Sequence, residues 1–462
     1  MRRWQEILIL VFVDSVASVA ALGAALWVRN AATSDGLSFP LGAYVVPAAL
    51  LALGWVGLFA YVGLYGEWST KSRLGELGWI VKVVFFGGIV LFLLTFDPER
   101  PFPLSRIVLL SYGLTLVAVS GAGRLSVRGI QRHLFARGSG LRNALIVGTG
   151  RRAKELASTM ARFPRLGLRV VGYVSPASSE EDEAVQPVLG ALAELRKVVV
   201  GSRAAEVIFA DPMLSHETVL NAVAGLEGVK VNISIVPDLY DVVTGHSGLG
   251  QIYGMPLMPL FPSTMLVWQR RTKRLLDVVA AVSVFFLALP FWILVAFAVW
   301  LEDRGPVFYS QERVGKEGRI FRVYKFRSMI PDAEKHSGPV WAAKDDPRIT
   351  RVGRVIRKLR LDELPQIWNI LRGEMSLVGP RPERPFFVER LAAEIPLYRR
   401  RLYVTPGLTG WAQTKQAYDA TLDDVREKLK YDLYYIENMS LSFDLLILLR
   451  TVWVVLTGKG AQ

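Results

Sequence analysis

Two adjacent carboxylates, Asp362 and Glu363, stand in the segment Leu361-Asp362-Glu363-Leu364-Pro365-Gln366, between a basic run from Arg354 to Arg360 and the loop Met375-Ser376-Leu377-Val378-Gly379-Pro380-Arg381-Pro382. In a cationic, proline-fixed setting such a pair can hold a divalent metal and offer one oxygen to a phosphorus centre, so phosphate chemistry is the first expectation. Spacing alone leaves a plainer alternative. Asp362 could be the N-cap of a helix through Gln366, Ile367, Trp368 and Ile370, with Glu363 and Pro365 in its first turn. The companions favour chemistry, because cations suited to phosphate and membrane segments recur within one C-terminal block.

The elements that must position the pair begin with the bilayer. The chain has 462 residues, enough for two or three domains; 52% are hydrophobic, and 55 Lys and Arg outnumber 41 Asp and Glu. This is the composition of a membrane protein with basic cytosolic parts. A net charge of +14 suits anionic headgroups or phosphorylated substrates. Nucleic acid is not expected as a partner, since no zinc-finger, homeodomain or RNA-recognition signature is present. Cysteine is absent and the four histidines, His133, His216, His246 and His336, lack metal-ligand spacing, so any metal should be held by oxygen.

Four apolar segments, Ile7 to Val28, Leu41 to Tyr65, Trp79 to Phe96 and Leu104 to Gly123, each approach the roughly 20 residues that span a bilayer. Residues 1–141 are therefore expected to form a four-helix transmembrane bundle. Arg2, Arg3, Lys71, Arg73, Arg124, Arg128, Arg132, Arg137 and Arg142 fall on one side, whereas the opposite loops carry little beyond Arg29 and Arg100. Positive charge marks the cytosolic side, which places both ends of the bundle there. Asp14, an acid inside the first segment, marks either a transport path or, as the reading preferred here, a helix-packing or interfacial role.

Residues 142–250 read as a Rossmann-like α/β domain. A buried strand at Asn143 to Val147 runs into Gly148-Thr149-Gly150-Arg151-Arg152-Ala153, a helix follows over Lys154 to Phe163, and further strands are expected at Leu168 to Val174, Glu206 to Ala210 and Val229 to Val236. The alternation predicts a small parallel sheet. The glycine turn could cradle a pyrophosphate, yet no ribose-gripping acid ends the second strand, where Val174-Ser175-Pro176 stands, so a scaffold that regulates or dimerises is the alternative.

After a linker at 251–269, residues 270–462 form the C-terminal domain. Its apolar run, Val278 to Leu301, is flanked by Arg270, Arg271, Lys273 and Arg274 on one side and by Arg304, Arg313, Lys316, Arg319, Arg322, Lys325 and Arg327 on the other. Both flanks claim the cytosolic side, so the segment 278–301 is expected to re-enter rather than span. Pro290 supplies the break by removing a backbone donor and crowding the carbonyl four residues earlier.

From Arg270 to about Gly460 the chain resembles the bacterial sugar transferases, the monotopic polyprenyl-phosphate glycosyl-1-phosphate transferases. The resemblance rests on Tyr324-Lys325-Phe326-Arg327-Ser328-Met329, Asp346-Pro347-Arg348-Ile349-Thr350, Leu361 to Gln366, Ser376 to Pro382, Pro406-Gly407-Leu408-Thr409-Gly410-Trp411-Ala412-Gln413 and Tyr431-Asp432-Leu433-Tyr434-Tyr435. With the membrane helices and Rossmann-like domain in front, it is similar to the long form of that family, which initiates exopolysaccharide, capsule or O-antigen synthesis. The resemblance implies a membrane α/β protein at the bacterial inner membrane with its catalytic domain on the cytosolic face.

The implied reaction has two steps. Asp362, matching the nucleophile of the family's Asp-Glu dyad, attacks the β-phosphorus of a UDP-sugar and expels UMP. The phosphate of a polyprenyl carrier such as undecaprenyl phosphate then takes the phosphosugar. Mg2+ on Asp362 and Glu363 is the implied cofactor, and Lys325, Arg327, Arg357 and Arg381 become phosphate clamps or, alternatively, anchors to anionic membrane lipids. Trp411 could stack on uracil or fill the core, with the core preferred. Where many relatives continue with Gly-Arg-Asn, this chain has Thr414-Lys415-Gln416-Ala417-Tyr418, which bears on which sugar is carried. The apolar segment Leu441 to Leu456, short and carrying Asp444 and Arg450, is read as lying along the membrane surface.

Two other classes share parts of this pattern. A membrane nucleotide-sugar dehydratase would need a second dinucleotide fingerprint and a Tyr-x-x-x-Lys pair, but Tyr309 is followed four residues on by Arg313. A non-catalytic lipid-binding scaffold would have no use for the intact Asp362-Glu363 pair. Self-association as a homo-oligomer fits a long-form member, although no heptad or patch specifies it.

Overall fold

A computed structural model describes residues 3–33, 41–66, 73–95, 105–176, 187–226, 228–237, 250–252, 255–260, 265–330, 346–395, 397–415 and 421–457. The chain folds as two units, one built from Met1–Pro212, Val231–Pro259 and Leu266–Trp268, the other from Met213–Lys230, Leu260–Met265 and Gln269–Gln462.

The first unit opens with four apolar helices, α1 (Arg3–Thr33), α2 (Val45–Val62), α3 (Arg73–Leu94) and α4 (Ser105–Ala136), each long and apolar enough to cross a membrane. Small residues on α1, Ala17, Ala21 and Ala25, let Trp55 and Phe59 of α2, Ile80 and Val84 of α3 and Tyr112 and Leu116 of α4 close one shared core. α4 runs on past Gly123, where the hydropathy reading stopped it, because Arg124 and Arg128 are not flanking charges at all. Both are buried: Arg124 pairs with Asp14 at 2.5 Å and Glu76 at 3.1 Å, and Arg128 with Glu76 at 3.1 Å. Tyr65 also donates to Asp14, at 2.9 Å. Asp14 thus joins α1 to α4, the packing role preferred from sequence.

The same unit carries a mixed sheet in the order β3-β2-β1-β4-β5-β7-β6, with β1 (Arg142–Val147), β2 (Leu168–Ser175), β3 (Val188–Ala191), β4 (Glu206–Phe209), β5 (Asn232–Ile235), β6 (Gly250–Ile252) and β7 (Met255–Pro259). The first five strands are parallel, as the alternation predicted, and α5 (Arg151–Arg162) and α6 (Leu195–Ser202) are its helices in this unit. The sheet does not stop at residue 250. β6 and β7 add an antiparallel edge from the stretch read as a linker, whose alternating Pro256, Leu257, Met258 and Pro259 hid a strand behind two prolines. Gly148 takes φ +122° in the turn after β1, against Asp211. The acidic stretch 180–183 lies outside the described residues.

In the second unit, α7 (His216–Ala224) precedes α8 (Val267–Asp303), one helix of 37 residues whose first two, Val267 and Trp268, belong to the first unit and which continues through Pro290. At about 1.5 Å per residue it measures about 55 Å, well beyond the roughly 30 Å of a hydrocarbon core. Phe286, Leu287, Phe291, Ile293 and Leu294 are exposed along its middle. An antiparallel hairpin follows, β8 (Phe308–Val314) and β9 (Ile320–Phe326), then α9 (Arg351–Lys358), a 3-10 turn at Leu361–Gln366, α10 (Ile367–Arg372), β10 (Ser376–Val378), α11 (Pro385–Glu394), β11 (Gly407–Thr409), α12 (Trp411–Lys415), α13 (Leu422–Glu437) and α14 (Leu441–Thr457). Ala281 packs with Phe321, Val323, Ile367, Ile370 and Met375, while Val295 and Val299 pack with Phe326 and Ile356. On α14, Leu445, Leu449, Val452 and Trp453 are exposed, whereas Asp444 is buried against Lys273 at 2.7 Å.

Candidate active site

The chain turns sharply into the acidic pair. Arg360 sits in the left-handed region at φ 55°, ending α9 and starting the 3-10 turn that carries both acids. Asp362 therefore caps nothing: the residue flanking the turn is Arg360, and α10 is flanked by Gln366. The plainer N-cap reading of Asp362 is removed by this geometry.

Three neighbours converge on the pair. β9 delivers Lys325, whose Nζ lies 2.8 Å from Glu363 Oε1. The loop after β10 delivers Arg381, whose Nη2 lies 2.6 Å from the same oxygen. β10 and β11 pair in parallel, and the approach is so close that a Cβ on Gly407 would stand 2.1 Å from Gly379 N and one on Gly410 2.3 Å from Gly379 O. Only glycine permits that contact, and it fixes where Arg381 emerges. Arg357 on α9 acts on Asp362 through its charge, and its buried Nη1 has no hydrogen-bond partner.

The electrostatics divide the two acids. Burial alone would push Glu363 up, but Arg381 and Lys325 hold its carboxyl far below the usual carboxylate range. Asp362, 8% exposed, moves the other way. Burial raises it and the charge on Glu363 adds to that, against the pull of Lys325, Arg357 and Arg381. Among the described residues no side-chain hydrogen bond holds the Asp362 carboxylate, whereas Oε1 of Glu363 accepts from both Lys325 and Arg381.

Arg327 departs from the expected cluster. Its guanidinium pairs with Asp303 at the end of α8 and is 7% exposed, with Nε and Nη1 buried and unpartnered. Of the two carboxylates expected to hold a metal, Glu363 has its Oε1 shared by two cations, Lys325 and Arg381. Among the described residues no group of three His, Asp or Glu side chains could hold a metal. The donor set fits a magnesium ion on one protein carboxylate, Asp362, completed by substrate oxygens and water, a common arrangement for this ion.

Sequence reasoning missed the scaffold behind Arg381. Arg401 Nη2 donates to the Arg381 carbonyl at 3.0 Å and to Asp432 at 2.8 Å, and Nη1 to the Tyr398 hydroxyl at 2.7 Å. Arg313 Nη1 donates to the Pro382 carbonyl at 3.0 Å, and Lys428 pairs with Glu383 at 3.1 Å. Asn369, fully buried, ties α10 to β9 by donating to the Arg322 carbonyl at 2.7 Å. Spacing offered no signal for most of these contacts: all but Arg401–Tyr398 join partners 20 to 69 residues apart. Trp411, half-buried, packs against Phe443 at 5.1 Å between ring centroids at the edge of a core with Val378, Tyr435 and Ile447, and Arg450 and Lys415 lie over its ring.

Residues 268–458 match the bacterial sugar transferase family, and residues 60–237 match a family described as a CoA-binding domain. A UDP-glucose:undecaprenyl-phosphate glucose-1-phosphate transferase of Escherichia coli is 30% identical over 97% of this chain and 96% of its own length. The chain belongs to the bacterial sugar transferase family, in its long form. A UDP-N-acetylgalactosamine-undecaprenyl-phosphate N-acetylgalactosaminephosphotransferase of Aeromonas hydrophila is 45% identical over 49% of this chain, which spans about half, 53%, of that relative. A putative undecaprenyl-phosphate N-acetylgalactosaminyl 1-phosphate transferase of Bacillus subtilis is 49% identical over 32% of this chain and 78% of its own.

Proposed function

We propose that this protein transfers a sugar 1-phosphate from a UDP-sugar to a polyprenyl phosphate, undecaprenyl phosphate by analogy with its relatives, releasing UMP and giving a polyprenyl diphosphate sugar. It is an enzyme of the phosphoglycosyl transferase class, acting at the first membrane step of polysaccharide assembly. The observation that carries the reading is the unequal pair: Glu363 neutralised by Lys325 and Arg381, and Asp362 beside it buried, uncommitted and raised.

That inequality suits a nucleophile. An Asp362 oxygen attacks the β-phosphorus, the bond to the bridging oxygen breaks, and UMP leaves with the electron pair. An oxygen of the polyprenyl phosphate then attacks the same phosphorus, and the aspartyl–phosphorus bond breaks to restore the carboxylate. Dividing the transfer lowers each barrier, and the raised basicity of Asp362 makes it a better nucleophile than an exposed carboxylate. Lys325, Arg357 and Arg381 surround the phosphoryl oxygens with positive charge placed before the reaction begins. Magnesium bound by Asp362 and the diphosphate would add Lewis-acid neutralisation of those oxygens.

The reading places the catalytic unit on the cytosolic face of the inner membrane, with α1–α4 as a spanning four-helix bundle and α8 re-entering at Pro290. Support comes from the two ends of α8. Near its start, Arg274 Nη2 donates to the Leu371 carbonyl at 2.9 Å and Asp277 accepts from Leu377 N at 3.1 Å; at its end, Glu302 accepts from Arg351 N at 2.7 Å. One folded unit holds both ends, whereas a spanning helix carries them to opposite faces.

The test is UMP release from UDP-glucose, UDP-galactose and UDP-N-acetylgalactosamine, with undecaprenyl phosphate and either magnesium or EDTA. Asp362→Asn should abolish turnover and form no phosphosugar adduct. Turnover that survives this change removes the nucleophile assignment, and the donor panel identifies the sugar.

A further inference from the structure

The four apolar helices close a core on one side only. Between α2 and α3 a lateral groove of about 910 Å³ stays open, lined almost wholly by apolar side chains. It lies at the upper end of the roughly 300–1,000 Å³ range of small-molecule sites. A Cβ on Gly54, in its wall, would meet nothing within 4 Å, while the Trp55 ring fills the place a Cβ on Gly87 would take.

The groove is not uniform along its length. Among the described residues that line it, Lys82 is the one charge; it is exposed, and its Nζ lies 5.3 Å from the centre of the Trp79 ring. Tyr61, in the last turn of α2, and Trp268 line it as well, and the indole N–H of Trp268 is buried with no hydrogen-bond partner. Lys82 and Trp79 lie in the first three turns of α3, the end that follows the cytosolic Lys71 and Arg73, whereas Val90 and Leu91 line the far end. From Lys82 to Leu91 the wall runs about 14 Å along the helix. A cation, a free indole donor and aromatic rims at the cytosolic level, above a hydrocarbon channel, fit an amphiphile with one anionic head and one long chain.

We propose that this groove binds a polyprenyl phosphate, its isoprenoid chain along α2 and α3 and its phosphate at Lys82 and the Trp268 N–H. The proposal rests on the reading that a polyprenyl phosphate is a substrate, and it assigns the membrane helices a lipid-holding role of their own. One lysine and one indole donor match a monophosphate on a single chain better than the larger head and paired chains of a phospholipid.

A photoreactive polyprenyl phosphate, irradiated with the full-length protein in phosphatidylcholine nanodiscs, tests this by peptide mapping. Adducts should fall on Val45–Val62 and Arg73–Leu94 and should be displaced by polyprenyl phosphate but not by equal phosphatidylglycerol. Lys82→Gln should cut that labelling about five-fold, the weight of one lysine at an anionic headgroup. Gly54→Phe, filling open space, should abolish it. Labelling that avoids both helices, that phosphatidylglycerol displaces equally well, or that is indifferent to Lys82→Gln overturns the proposal. UMP release from the same nanodiscs reports the transfer reaction separately, so a lost groove and a lost activity are told apart.

Discussion

Arg381 Nη2 and Glu363 Oε1 stand 2.6 Å apart, and Lys325 Nζ reaches the same oxygen at 2.8 Å. One carboxylate oxygen thus organises two cations that also face the neighbouring Asp362. Glu363 holds the positive charge in place, and its own negative charge keeps Asp362 from becoming too weak a base. The adjacency of two acids is a division of labour.

That division predicts a pH effect. A nucleophilic Asp362 must be ionised, so its raised pKa sets the acidic limb of the rate profile above the usual carboxylate range. Glu363→Gln removes a like charge and frees Lys325 and Arg381 to act on Asp362, and both changes favour ionisation. The acidic limb should move to lower pH while the maximal rate falls by about 100-fold or more, as expected when preorganised charge is lost. A profile of UMP release that stays in place, or moves to higher pH, would contradict the coupling.

Much of the architecture was legible because it obeys periodicity. Four apolar runs gave four helices, and the strands at Asn143, Leu168 and Glu206 fell within a residue or two of prediction. The acids were legible because local sequence puts Asp362 and Glu363 on one turn. What periodicity could not show was partnership at long range: Arg124 looks like a flanking cation until Asp14, 110 residues away, is seen beside it. Arg327 sits in the same motif two residues after Lys325, where strand alternation would keep both on one face, but β9 ends at Phe326 and the chain has left the strand by Arg327, whose guanidinium pairs with Asp303.

The buried set around Glu383 predicts how the catalytic unit responds to acid. Burial alone would raise Glu383, but Lys428, Arg401 and Arg313 hold it down to about 2, from 4.5. A folded-state pKa below the unfolded one stabilises above the unfolded value and is lost as pH falls through the folded one, here between about pH 5 and 2. A shift of that size corresponds to about 3 kcal/mol. Glu383→Gln should therefore lower the thermal midpoint at pH 7, and the gap from the unaltered protein should narrow steadily as pH falls toward 2. A gap independent of pH would show that packing, not charge, is what Glu383 supplies.

Within the membrane helices the decisive pair is Arg124 and Asp14, 2.5 Å apart and 1% and 0% exposed. Removing one partner strands a buried charge, so Arg124→Leu should cost roughly 3–5 kcal/mol. Adding Asp14→Leu should restore part of the loss, because an apolar pair of similar volume replaces an ionic one. Thermal unfolding in detergent measures both, and a double variant no more stable than the single one would place the cost elsewhere, in Glu76 and Arg128.

The path of α8 can be read by labelling, since the natural sequence has no cysteine to remove. Thr272→Cys and Arg304→Cys flank the apolar run, and both positions are at least partly exposed. If the helix re-enters at Pro290, a membrane-impermeant maleimide should reach both from the cytosolic side of inverted vesicles and neither from the outside of intact cells. Pro290→Leu removes the ring clash and the missing donor that favour a bend, leaving an uninterrupted apolar segment of the length that spans a bilayer. In that variant Arg304→Cys should become partly labelled from outside while Thr272→Cys does not. Opposite-side labelling in the unaltered background would instead make α8 a fifth span and overturn the re-entrant reading, leaving the bonds of Arg274 and Glu302 to the catalytic unit without the explanation given for them.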